Sequence, residues 1–186
     1  MNLLEAEDFV KKKEISRAHV YSTKKRQFLP RLLVNSFVKS LFNGMKDLYP
    51  NKEKDFKELG KKVLEHFEFP IKKDVLKAFE EVRESYDLQA QLRLFQESYI
   101  TFDLFQEELD ISIILEQKNK MVYRLKKSDF LDSSGEYDYF FYLVCGITEV
   151  LYLRFFNTKV NCNVEKIHKS SNEEESYVDI SLELQQ

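Results

Sequence analysis

The hydrophobic period of this chain changes once, near residue 109, and that change limits the folds open to it. From Phe28 to Phe105 apolar residues recur every three or four positions. From Leu109 onward, outside one long apolar run, they recur every second position. The first spacing puts side chains on one face of a helix, and the second puts them on one face of a strand.

Four helices are expected in the first half. Leu29, Leu32, Leu33, Phe37, Leu41, Met45 and Leu48 form one stripe, with Pro30 suited to a first turn and Tyr49-Pro50-Asn51 as the stop. Phe56, Leu59, Val63, Leu64 and Phe67 mark a second helix that holds Gly60 and is closed by Pro70. Ile71, Val75, Leu76, Phe79 and Val82 mark a third, and Leu88 to Phe105 a fourth. Beyond them, Leu109 to Glu116 and Met121 to Lys126 alternate around the polar Gln117-Lys118-Asn119-Lys120, as a hairpin does. Phe130 to Glu136 reads as a loop, and Tyr137 to Phe156 as a helix apolar nearly all round. Thr158 to Ile167 and Tyr177 to Leu184 alternate again. The order predicts an α+β fold: N-terminal helices, then ββαββ forming a four-stranded antiparallel sheet packed on helices. Residues 1–27 read as a polar segment with a short helix at Leu3 to Lys12, and 28–186 as a single α+β domain.

Composition narrows function. The 186 residues include 16 Phe and 10 Tyr, enough for a sizeable core, but only four Gly. Twenty-nine basic against 32 acidic residues give a net charge of −3, which argues against a nucleic-acid partner. Two Cys are too few for a disulfide framework. No GxSxG elbow or GxxxxGK[ST] phosphate loop is present, so an enzyme is not expected. Glu149 and Arg154 interrupt the apolar run, which favours a buried core helix over a membrane span and a cytoplasmic protein, peripheral to membranes at most.

Each candidate for chemistry has a plain alternative. Lys24, Lys25 and Arg26 can be a solvated entry segment or a contact for an acidic surface. His66 can be a ligand or a complement to a helix C-terminus. Cys145 and Cys162 can be a redox or metal pair or two core residues. Glu107, Glu108 and Asp110, like Glu173, Glu174 and Glu175, lack the spacing and Gly of a calcium loop. No metal or cofactor site is expected. Phe140, Val144, Cys145, Gly146, Ile147 and Leu151 are the candidate interface or apolar-pocket residues, because the long apolar helix carries more apolar side chains than one sheet face can cover.

The stretch YFFYLVCGITEVLYLRFFNTKVNCNVEK, Tyr139 to Lys166, with its Cys145-Gly146 pair, resembles the small subunits of the transport protein particle (TRAPP) and the prokaryotic 4-vinyl-reductase-type domains. DISIILEQKNKMVYRL resembles their first hairpin and LGKKVLEHF their second helix, so the resemblance runs from about Phe28 to Leu184. It implies a hydrophobic pocket and a non-catalytic assembly subunit in ER-to-Golgi vesicle transport. Its partner would be a related subunit, as a homo- or heterodimer in a larger complex, with a small GTPase and a membrane surface as indirect partners. Both Cys come late in this chain, so the acylated early Cys of some members has no counterpart. Tyr137-Asp138-Tyr139-Phe140 and the strands after it also resemble the C-terminal half of the haem-nitric-oxide/oxygen binding (H-NOX) domain. That resemblance implies a small-ligand sensor. Its haem needs an axial His on a mid-chain helix, and its Tyr-x-Ser-x-Arg clamp is not matched by Tyr21-Ser22 through Arg26.

Overall fold

The computed structural model describes residues 10–15, 18–23, 31–66, 73–85, 88–101 and 109–185. Phe28, Pro30, Phe67, Pro70, Ile71 and the basic Lys24-Lys25-Arg26 cluster lie outside them, as do Leu3 to Phe9 and Glu107-Glu108. The chain divides into two compact units, Met1–Val34 and Asn35–Gln186.

The first unit contains strands β1 (Val10–Ile15) and β2 (Ala18–Thr23), paired antiparallel from Val10↔Thr23 to Ile15↔Ala18. Residues 10–12, expected in a short helix, are therefore strand. Val10, Ile15, Val20, Tyr21 and Thr23 are β-branched or aromatic, and hairpin pairing wins over the helix preference of the Lys run between them.

Helix α1 (Arg31–Leu48) begins at the end of the first unit, and its residues from Asn35 onward belong to the second. It is followed by α2 (Glu53–His66), α3 (Lys73–Ser85), α4 (Leu88–Thr101), β3 (Asp110–Glu116), β4 (Lys120–Lys126), α5 (Tyr139–Phe156), β5 (Val160–His168) and β6 (Tyr177–Leu184). The four later strands form one antiparallel sheet in the order β3-β4-β6-β5. Each hairpin stays intact, and β4 and β6 join them at the centre. Met121, Tyr123 and Leu125 of β4 and Val178, Ile180 and Leu182 of β6 are all buried on the helix side, as their alternation predicts.

Two bulges break that alternation at the edges. One falls between Ile113 and Leu115, so Leu115 pairs with Val122 on the opposite face and is 40% exposed. The other falls between Val164 and Lys166. Bulges twist an edge strand and spoil it as a template for further pairing. The expected loop after β4 also does more than connect. It holds a 3₁₀ turn, Asp129–Leu131, that places Phe130 and Leu131 inside the core. Ser128 caps that turn, its side chain accepting from the Phe130 amide at 3.3 Å.

Candidate functional site

Helix α5 is long and apolar enough to cross a membrane by length and composition. Half of its residues are buried within the protein, where it packs on α2 and β5. The residues singled out from the sequence serve this packing. Phe140 stacks on Phe130 with ring centroids 3.7 Å apart. Phe42 meets Phe130 and Phe140 edge-on at 6.1 and 5.9 Å, and Phe56 at a tilt at 6.2 Å. Val144 and Cys145 are buried, and Ile147 and Leu151 are half-buried. Gly146 is where α5 touches α2. A Cβ on Gly146 would overlap the carbonyl oxygen of Lys57, and a Cβ on Gly60 would overlap that of Leu143. The contact is reciprocal: each glycine gives the other helix's backbone room for close approach.

Beside this crossing sits a polar cluster that the sequence reading did not assemble. Glu149, noted there as an interruption of the apolar run, lies 2.7 Å from Lys57 Nζ and 3.1 Å from Lys61 Nζ. It also accepts the backbone N–H of Cys162 at 2.9 Å. Lys57 Nζ donates further to Asn161 Oδ1 (3.1 Å) and Asn163 Oδ1 (2.9 Å). Glu58 first, and Glu149 after it, raise the Lys61 ammonium above its ordinary value against the opposing effect of burial. Every one of these polar groups has a partner, so the cluster ties α2, α5 and β5 together. At the other edge, Gln96 of α4 donates to the Ile111 carbonyl of β3 at 2.8 Å. Both edge strands therefore meet a helix side chain.

Cys145 and Cys162 meet across the α5–β5 seam as free, fully buried thiols. Burial, together with the Cys145 thiol beside it, pushes the Cys162 thiol well above its ordinary value. A thiol held protonated is a poor nucleophile and a poor metal ligand. No group of three His, Cys, Asp or Glu able to hold a metal occurs among the described residues. His66 and His168 are both exposed, and His168 lies against the Tyr177 ring at 5.0 Å. Neither offers the enclosed axial position that a haem iron takes.

Helix α1 carries two apolar stripes. Val38, Phe42 and Met45 face the core. Phe37, Leu41 and Leu48 face outward, at 67%, 45% and 73% exposure, and Tyr49 follows at 58%. The most regular apolar spacing in the sequence thus lies on the exposed side. A row of polar side chains fixes this setting. Asn35 donates to Asp129 (2.6 Å), Lys39 to Asp132 (2.9 Å) and Lys46 to Glu53 (3.0 Å), while Asn43 accepts the Glu136 amide (2.9 Å). Asp132 feels burial, which alone would raise it; Lys39 and Ser134 outweigh that and hold it down at about 2. The buried Tyr139 hydroxyl donates to Tyr49 O (2.5 Å) and accepts from Lys52 N (2.9 Å), fixing the turn into α2. The sequence signal for this arrangement is the spacing of Asn35, Lys39, Asn43 and Lys46, a polar row beside the core stripe.

Residues 35–185 thus define an α+β domain, a four-stranded sheet with helices against one face and apolar side chains of α1 left exposed. No protein-family model matches the chain and no curated protein matches it by sequence. Solved structures similar to it are H-NOX domains. A variant of the unliganded Fe(II) H-NOX protein from K. algicida is 12% identical, over 84% of this chain and 63% of that one, with a TM-score of 0.30. A variant of the T. tengcongensis H-NOX is 10% identical, over 89% and 79%, with a TM-score of 0.41. A Cs H-NOX variant is 11% identical, over 89% and 78%, with a TM-score of 0.39. The chain spans less than two thirds of the K. algicida protein. At scores this low no residue role is carried across. None of the three is a transport-particle subunit or a 4-vinyl-reductase domain.

Proposed function

We propose that this chain is a non-catalytic binding domain that works by associating with another protein through the outward face of α1. The observation that carries this reading is the set Phe37, Leu41, Leu48 and Tyr49, held outward by the polar row on the same helix. Large apolar side chains grouped on one exposed face mark interaction surfaces. The buried groups at α5 fit a non-catalytic role. Burial raises the Cys162 thiol well above its ordinary value, and Glu149 and Lys57 are taken up by structural bonds. The finer assignment to vesicle tethering has no counterpart among the similar structures, and association is proposed without it. A small-ligand sensor domain is the alternative, raised by the H-NOX domains among the similar structures.

Light scattering on protein isolated from its own cells, with native mass spectrometry of the same peak, tests both. Association predicts a mass above one chain that Phe37→Glu reduces to one chain. A single chain carrying a small molecule would replace association with the sensor reading. A bare single chain would sink both.

A further inference from the structure

We propose that the β1–β2 hairpin docks on an anionic phospholipid surface, through the face that carries Lys11 and Lys13. This goes beyond the association reading and does not depend on it.

Charge is divided unevenly along the chain. Met1–Val34, the first compact unit, holds eight basic and four acidic residues, a net charge of +4. Asn35–Gln186 holds the other 21 and 28, a net charge of −7. The overall −3 therefore conceals a basic unit joined to an acidic one. The cations are concentrated from Lys11 to Arg26, where seven basic residues accompany one acid, Glu14. Such a cluster in a short segment draws a chain to an anionic leaflet.

The strand register gives the charge a direction. Residues of a strand alternate between faces. Lys11, Lys13 and Ile15 therefore share one face of the hairpin with their β2 partners Ser22, Val20 and Ala18, and no acidic residue is among them. On the other face Glu14 offsets Lys12. One face is cationic and the other is balanced. In the second unit, by contrast, Lys39, Lys46 and Lys57 each have a carboxylate at 3.0 Å or less.

The composition of the cationic face favours lipid over nucleic acid. Ile15, Ala18 and Val20 lie there with the lysines. At a bilayer surface apolar residues enter the acyl boundary while ammonium groups stay among the headgroup phosphates. A nucleic-acid backbone offers the second contact and not the first. A two-stranded sheet is marginal in water by itself, and a surface to lie on stabilises it.

Co-sedimentation of the full chain with vesicles tests the proposal. Phosphatidylcholine vesicles with about 30% phosphatidylserine should bind it at low salt, and roughly 0.5 M salt should release it. Vesicles of phosphatidylcholine alone should not bind it. Each cation at the surface is worth roughly fivefold, so Lys11→Gln with Lys13→Gln should weaken binding about 25-fold. The same change of charge at Lys62 and Lys77, exposed cations of the second unit, should leave binding unchanged. Lys11→Arg with Lys13→Arg should bind as the native chain does, which separates charge from hairpin folding. Phe37→Glu should also bind as the native chain does, so this proposal and the association reading stand or fall separately. No binding to either vesicle, equal binding to both, or equal losses from the two glutamine pairs overturns the proposal. Binding to a short DNA duplex without binding to the anionic vesicles also overturns it.

Discussion

Three helical glycines in this molecule should respond to alanine in opposite directions. Gly44 has open space where a Cβ would go, so Gly44→Ala should stabilise α1 by about 0.5–1 kcal/mol through helix propensity. Gly60 and Gly146 face backbone carbonyls of the opposing helix, and a carbonyl cannot rotate away as a flexible side chain can. Gly60→Ala and Gly146→Ala should each cost about 1–3 kcal/mol, the propensity gain notwithstanding. Chemical denaturation of the three variants at one protein concentration checks the contrast, and equal shifts at all three would contradict the close crossing. Asp132 gives a second residue-scale expectation. Its folded value of about 2 lies below the ordinary 3.8, so its contribution is complete above the higher value and is lost as pH falls through the lower. Since Asp132 is partly exposed, that contribution is about 2 kcal/mol at most. Asp132→Asn should therefore be less stable than the native chain at neutral pH and lose less stability than it between pH 4 and 2, as urea titrations at several pH values would show.

Among the elements, the edge strands depend on helix side chains. Glu149→Ala would remove the acceptor of the Cys162 amide and leave Lys57 without its carboxylate and Lys61 with Glu58 alone. The expected cost is about 2 kcal/mol or more, and amide exchange at Cys162 should rise well above that of its neighbours. Protection unchanged at Cys162 would show that Glu149 does not hold the strand. How far these elements were legible in the sequence depends on what periodicity encodes. β6 matches its expected span, Tyr177 to Leu184, and the inward residues of β4 and β6 follow from alternation. The bulge that turns Leu115 outward was hidden, because Leu109, Ile111, Ile113 and Leu115 keep a perfect period in sequence while the extra residue is set by pairing with β4. The role of Phe130 was hidden by its surroundings. Asp129, Asp132, Ser133, Ser134 and Gly135 look like solvent, yet a 3₁₀ turn drops one aromatic into a stack with Phe140. On α1, period alone finds apolar stripes but not which one faces out. That depends on Asp129, Asp132 and Glu53, which are near Asn35, Lys39 and Lys46 only in the folded chain.

At the scale of the whole molecule, residues 35–185 combine a seam closed from both sides with a surface left open. Apolar side chains, paired glycines and satisfied charges close the seam between α5, α2 and the sheet. The α1 face stays exposed, and it is the surface the proposed association would use. Cys145 and Cys162 lie in the closed part, fully buried and on opposite sides of the α5–β5 junction. With no denaturant, alkylating reagents should therefore modify neither thiol on the time needed to label an exposed one. This leaves the native protein silent to thiol reagents. Any slow labelling that does appear must pass through a state in which helix and strand have parted, and its rate, followed against urea, becomes a clock for that opening, supplied by two atoms already in the core.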